Sequence, residues 1–224
     1  MDWFFNFPDM SRSDLREFKK TVDFAFTDFS RTYGQGIEEF FEPLLMFLVW
    51  FEKLFINTPW PIIIFSILLL AWIGSRSMLI VVGTFLSFML IGYFGMWEDT
   101  KSTLAIILVA TFLCIAIGIP LGIAMARSNK VQAAIVPVLD VMQTMPPFVY
   151  LIPIVMLMGI GKIPGLIAVV IYAIPPLIRL TNLGIREVDK EALEAADAFG
   201  ATKKQKLYQV QLPLALPTIF AGIN

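Results

Sequence analysis

Asp140, Gln143 and Thr144 stand close together in an otherwise apolar stretch, with Pro146 and Tyr150 just beyond them. Asp140 is the only carboxylate between Asp99 and Glu187. An acid inside a membrane-embedded segment marks a pathway, a gate or a relay by default, whereas one at the interface caps a helix or pairs with a cation. Both readings of Asp140 stay open at this level. Around it, the usual catalytic equipment is missing. The chain has no histidine, so it lacks the common near-neutral general base and the commonest metal ligand. Its one cysteine, Cys114, lies in an apolar run and allows neither an internal disulfide nor a cysteine metal site. Gly161-Lys162 is followed by Ile163, so this lysine does not belong to a phosphate-binding loop. The sequence therefore carries no catalytic residues, no metal site and no cofactor site, and is not expected to be an enzyme.

The elements that must position these residues are membrane helices. Of 224 residues, 58% are hydrophobic and 16% charged, and the mean hydropathy is +0.77. An ordinary soluble domain carries roughly 25% charge. The composition excludes a disordered chain, a disulfide scaffold and a soluble enzyme, and the net charge of −1 excludes a nucleic-acid partner. The fold class expected is all-α: a polytopic α-helical protein of the lipid bilayer.

Residues 1–42 form an acidic N-terminal tail, with five Lys/Arg against nine Asp/Glu and recurring phenylalanines. It reads as a solvated, partly helical segment or as an amphipathic one lying on a membrane or a partner. Residues 43–58 include a short apolar stretch interrupted by Glu52 and Lys53, expected to be an interfacial or re-entrant helix. Residues 59–98 hold two spans, and 99–224 hold the remainder, with a cytoplasmic loop at about 186–213. Pro137, Pro146, Pro147 and Pro153 break the region 133–159, and broken spans are common where a solute crosses. Asp140, Gln143, Thr144, Pro146 and Tyr150 are accordingly the candidate translocation pathway or gate. Gly118 and Gly122 have the small-residue spacing of a close helix contact. The last apolar segment begins at Leu214 and ends at Asn224, shorter than the roughly 20 residues a span needs, so the chain is expected to be truncated at its C-terminus.

Orientation follows from the short loops. Arg76, then Arg127 and Lys130, then Arg179, Arg186, Lys190, Lys203, Lys204 and Lys206 fall on one side if the spans alternate. The positive-inside rule makes that side cytoplasmic and puts the N-terminal tail outside.

The loop itself has a definite shape. Asp189 is a good N-cap and Glu191 suits the first turn of a helix that carries Ala192, Ala195, Ala196 and Ala198. Gly200 fits a left-handed C-terminal cap, and Thr202 with Gln205 makes a capping box for a second helix. Pro213 is expected to let the chain turn back into the membrane.

Glu194-Ala195-Ala196, then Gly200, then Val210-x-Leu212-Pro213, resembles the EAA loop of permease subunits of binding-protein-dependent ABC importers, which share a MetI-like transmembrane core. Val210 replaces the usual isoleucine. The run Asp140-Val-Met-Gln143-Thr144-Met-Pro146-Pro-Phe148-Val-Tyr150, with Gly159-Ile-Gly161, resembles the glycine betaine/proline betaine type of that family. The resemblance implies a coupling helix that docks on a separate ABC ATPase. Its docking positions would be Glu194, Ala195, Ala196 and Gly200, and Leu212 and Pro213 would mark the return to the membrane. It further implies ATP and Mg²⁺ held by the ATPase and not by this chain, an extracytoplasmic solute-binding protein, a homodimer of permeases and a multi-pass place in the inner or plasma membrane. The expected task is import of quaternary ammonium osmolytes. The alternatives are the same architecture serving choline, carnitine or an amino acid, or a channel or membrane scaffold without an ATPase.

Overall fold

The computed structural model describes residues 10–224, and residues 1–9 of the expected tail lie outside the described residues. All regular elements among the described residues are helical. In chain order they are α1 (Arg12–Asn57), α2 (Trp60–Ser75), α3 (Met78–Tyr93), α4 (Trp97–Arg127), α5 (Asn129–Thr144), α6 (Pro147–Met158), α7 (Lys162–Arg186), α8 (Lys190–Ala198), α9 (Lys203–Gln205), a π-helical turn (Lys206–Gln211) and α10 (Leu212–Ile223).

The first helix departs from expectation. No boundary separates a tail ending at 42 from a helix starting at 43, because α1 runs unbroken for 46 residues. Ser11 starts it, its hydroxyl accepting the Asp14 N–H at 3.2 Å. Pro43 sits in the helix interior without ending it. Leu48 is fully buried there, and with Phe41, Leu44 and Phe51 it packs against Val109, Ala110, Ile163 and Leu166 of α4 and α7. That contact offsets the one hydrogen bond that proline removes. Glu52 does not mark a solvent-facing interruption either. It is 4% exposed and forms an ion pair with Lys162, the first residue of α7. Beside it, the Lys101 ammonium donates to the Ile56 carbonyl at 3.0 Å and pairs with Glu98 at 2.9 Å. These polar clips fix the end of α1 to α4 and α7.

Breaking a buried pair on one side costs more than removing both partners, because the lone charge is left desolvated. Glu52 is the buried partner and Lys162 stays 45% exposed, so Lys162→Met should destabilise the protein by about 1–3 kcal/mol. The double variant Glu52→Leu/Lys162→Met should recover most of that loss, and thermal unfolding of the purified variants would check it. A double variant no more stable than Lys162→Met would show that the pair does not act as a unit.

The centre of the molecule is the pair α4 and α7, packed side by side. A Cβ on Gly122 would lie 2.5 Å from Thr181 Cβ and 3.0 Å from the Ile178 carbonyl oxygen, and one on Gly118 would lie 3.1 Å from Leu177 Cδ2. The glycine spacing seen in the sequence is thus the seam where two membrane helices meet backbone to backbone. On the other side of α7, a Cβ on Gly184 would lie 2.9 Å from Thr218 Cβ of α10. Cys114, Met125, Leu139, Leu177, Ile178, Leu207 and Ile219 complete a core shared by α4, α5, α7, the π turn and α10.

α4 and α7 are each long and apolar enough to cross a membrane. The pairs α1–α2 and α5–α6 meet that requirement only when taken together, and they bend by 102° and 92° at their breaks. At 16 residues, α3 is about 24 Å long, short of the roughly 30 Å hydrocarbon layer. It pairs with α2 at the edge of the molecule.

Proline alone does not decide where helices break. Pro120, Pro137, Pro153, Pro175 and Pro176 all lie within helices, whereas Pro59 and Pro146–Pro147 coincide with breaks. A residue before proline is pushed into extended backbone. Here that happens twice in succession, at Met145 (ψ 131°) and Pro146 (ψ 141°), while Pro147 opens α6 where its missing N–H costs nothing. Pro175–Pro176 has the same local form, but Pro175 is buried between Ile174 and Leu177 in the α4–α7 core, and packing holds the helix.

Candidate functional site

The loop after α7 is closed by hydrogen-bonded caps at each of its helix ends. Asp189 caps α8, its carboxylate accepting the Glu191 N–H at 3.0 Å. At the other end the Gly200 N–H donates to the Asp197 carbonyl at 2.9 Å, and the Ala201 N–H to the Ala196 carbonyl at 3.0 Å. Those two bonds, with Gly200 at φ 75°, are a Schellman cap. Two residues on, the Thr202 hydroxyl accepts the Gln205 N–H at 3.3 Å and the Gln205 side chain accepts the Thr202 N–H at 2.8 Å. The capping box closes the joint from the far side. Two rigid ends thus meet at one glycine, and α8 is held at an angle that no flexible loop would keep.

The inner face of α8 rests on the π turn. Leu193 is half-buried there, and Asp197 forms an ion pair with Lys206 across the joint. The outer face is free: Glu191, Glu194, Ala195, Ala198 and Gly200 are exposed, and Phe199 at the tip is 93% exposed. Of the residues singled out from the sequence, Glu194, Ala195 and Gly200 lie on this surface, and Ala196 is at its edge. Phe199 belongs with them. It was legible in the sequence as the one aromatic beside the joint glycine.

Leu212 and Pro213 lie elsewhere. The chain does not turn at Pro213: α9, the π turn and α10 form one continuous helical run from Lys203 to Ile223. Pro213 has no N–H, and in an α-helix its ring would strike the Gln209 carbonyl. The wide turn that precedes it, in which the Leu212 N–H reaches back to the Leu207 carbonyl, absorbs that conflict within the helix. Leu212 packs against the core and Pro213 opens α10.

Above the loop, Arg186 gathers three elements. Its guanidinium donates to Asn182 Oδ1 at 3.0 Å, to the Met125 carbonyl at 2.8 Å and to Asn129 Oδ1 at 2.8 Å. The base of the loop is thereby fixed to the end of α4 and the start of α5. In the sequence Arg186 counted only as one of several loop cations; nothing in its spacing reveals the partners 57 and 61 residues away.

The pathway candidates do not form one cluster. Asp140 is ion-paired with Arg179, which ties α5 to α7. Gln143 lines a cavity of about 380 Å³ with Tyr172, Pro176, Gly222 and Asn224, between α5, α7 and α10. Thr144 bonds its own helix, its hydroxyl donating to the Val141 carbonyl at 3.2 Å. Pro146 is the break between α5 and α6. Tyr150 is half-buried on α6, with a buried hydroxyl that meets no partner among the described residues. No group of three or more acidic, cysteine or histidine side chains is placed to hold a metal among the described residues.

A family described as "binding-protein-dependent transport system inner membrane component" matches residues 118–223, from the glycine seam on α4 through the loop to the end of α10. Residues 118–223 are a domain of this family. It is 46% identical over 204 residues to the glycine betaine/proline betaine transport system permease protein ProW of Escherichia coli, covering 91% of this chain and 56% of that protein. It is 47% identical over 168 residues to the glycine betaine/carnitine transport permease protein GbuB of Listeria monocytogenes, covering 74% and 60%. With the glycine betaine transport system permease protein OpuAB of Bacillus subtilis the identity is 45% over 167 residues, covering 73% and 58%. The chain thus spans little more than half the length of these curated relatives. Among solved structures, a chain of the inward-facing MetNI methionine ABC transporter superposes with a TM-score of 0.48 at 23% identity, covering 54% of this chain and 62% of that one. Family membership and the apolar helices make the protein a multi-pass component of the inner membrane.

Proposed function

We propose that this chain is the membrane-spanning permease subunit of an ATP-driven importer for glycine betaine and proline betaine. The observation that carries the proposal is α8, a thin alanine-rich helix held off the membrane helices between a Schellman cap and a capping box, its outer face uncovered. That shape suits insertion into a partner's groove. The substrate class is supported by relatives at 45–47% identity whose names include glycine betaine.

The loop faces the cytoplasm and docks on a separate ABC ATPase that binds ATP and Mg²⁺. The N-terminal segment lies outside, where a solute-binding protein delivers its cargo, and two copies of the permease form the path. Nucleotide-driven closure of the ATPases draws the two α8 helices together. The capped joint passes that movement to α9, the π turn and α10 as one body, and through the Gly184 contact to α7. The chain is a conduit and gate rather than a catalyst. Within it, the Gln143–Tyr172 cavity has the polar and aromatic lining that a quaternary ammonium passes without being held.

Uptake of labelled glycine betaine tests this reading, with the intact permease expressed beside its ATPase and binding protein in a host lacking betaine transport. Saturable uptake that stops when the ATPase is inactivated is the expected result. Entry of choline, carnitine or an amino acid with the same ATP dependence would move the substrate assignment and leave the architecture. Failure of the intact permease to bind any ATPase would sink the importer reading.

A further inference from the structure

A cavity of about 350 Å³ opens where α4 and α7 end, beneath the π turn. Arg127, Lys203, Lys206 and Gln211 supply its polar lining, and Ala126, Ile185 and Leu207 its apolar one. It lies apart from the outer face of α8 and from the Gln143 cavity, and neither site uses it.

The charges are unusual for their setting. Three cations from three elements, α4, α9 and the π turn, converge on one small space without a carboxylate lining it. Lys206 is paired with Asp197. Arg127 and Lys203 take part in none of the ion pairs among the described residues. A helix C-terminus favours one cation, which explains the sign of Arg127 at the end of α4. It does not explain why α9 and the π turn bring two lysines to the same place. Like charges gathered this way repel unless an anion joins them. Arg and Lys together suit a phosphate group, the first through its planar fork and the second as a compact charge.

We propose that this cavity binds a phosphate group, and specifically the headgroup phosphate of an anionic membrane lipid. The apolar lining favours the lipid over free phosphate, since Ala126, Ile185 and Leu207 offer contact to a glycerol backbone and the first acyl carbons. The position agrees, because Arg127 ends a helix long enough to span and basic pockets between membrane helices on the cytoplasmic side recruit such headgroups. A bound phosphate would join Arg127 of α4 to Lys203 and Lys206 at the root of the loop. The lipid would thus become part of the joint.

Native mass spectrometry of the intact permease tests the site. The probes are phosphatidylglycerol, phosphatidylcholine and inorganic phosphate. Phosphatidylglycerol should be retained in preference to phosphatidylcholine. Arg127→Gln/Lys203→Gln should weaken that retention about thirtyfold, for two lost charges near the surface. Lys130→Gln/Lys204→Gln removes the same charge from neighbouring positions outside the cavity and should leave retention unchanged. A readout that needs no variant is salt: phosphatidylglycerol retention should fall as ionic strength rises. If inorganic phosphate binds with the same residue dependence and phosphatidylglycerol is not preferred, the site stands and its ligand is free phosphate. Equal loss in both double variants, or equal retention of the two lipids with no residue-dependent binding of inorganic phosphate, would overturn the site.

Discussion

Gly200→Val is expected to abolish transport while leaving the protein inserted in the membrane. Gly200 has φ 75°, the left-handed region, which costs an L-residue roughly 1–2 kcal/mol and a β-branched one more. Nothing lies within 4 Å of the Cβ that the substitution adds, so the effect is conformational and not a clash. Valine would pull the joint toward extended or right-handed backbone and break the bonds from the Gly200 and Ala201 N–H groups that close the cap. The membrane helices would be untouched, but α8 would point elsewhere. Membrane content should stay near that of the unaltered protein, with solute uptake and stimulated ATP hydrolysis both lost. Asparagine tolerates left-handed backbone, so Gly200→Asn should keep most of the activity. Full uptake by the valine variant would show that the aim of α8 does not matter. Equal failure of both variants would show that the position needs a glycine for some reason other than its backbone angle.

Gly122→Leu should prevent folding altogether. A Cβ at this site would sit 2.5 Å from Thr181 Cβ, 2.7 Å from its Cγ2 and 3.0 Å from the Ile178 carbonyl oxygen. The last is backbone, and Thr181 is fully buried, so neither can yield without parting α4 from α7. Overpacking a tight core costs about 1–3 kcal/mol where side chains can shift. Here the two central helices must separate, and the cost falls at or above the upper end of that range. Expression with a fluorescent fusion, followed by size-exclusion chromatography, should show loss of the monodisperse peak. Gly83→Leu on α3 is the control, because nothing lies within 4 Å of its Cβ position. A monodisperse Gly122→Leu protein would mean that the α4–α7 seam is looser than drawn.

These two glycines were both visible in the sequence, for different reasons. Gly200 stood between a run of helix formers and a Thr–Gln capping box, so its role followed from neighbours within five residues. Gly122 was visible only as half of a small-residue spacing, which is frequent in apolar helices; its partner on α7 came from the fold. Gly184, which admits α10 to the other side of α7, carried no comparable spacing signal and was missed.

The misreadings share one cause. Glu52 and Lys53 looked like interruptions because their local neighbours are apolar, and the lysine that makes Glu52 tolerable lies 110 residues away. The change of composition at residue 43 marks no helix boundary, because packing of Leu48 on α4 and α7 keeps the helix whole through Pro43. Pro213 suggests a corner, and the structure solves the same steric problem by widening one turn. Local chemistry was legible wherever its partners were a few residues off. Where the partner lies on another helix, the sequence holds both halves without linking them.

The widened turn at Lys206–Gln211 has one more consequence. Successive residues of a helix are rotated by about 100° around its axis. The turn sets how far the start of this helical run is rotated relative to α10, and with it the direction in which α8 faces. Deleting one residue there would alter almost nothing in composition or hydropathy. It would leave no room for the wide turn, so the Pro213 ring would meet the carbonyl four residues before it and the helical run that carries α8 would kink there. The mechanism is therefore keyed to residue count as much as to residue type, and a single-codon deletion in this stretch is a graver change than most substitutions beside it.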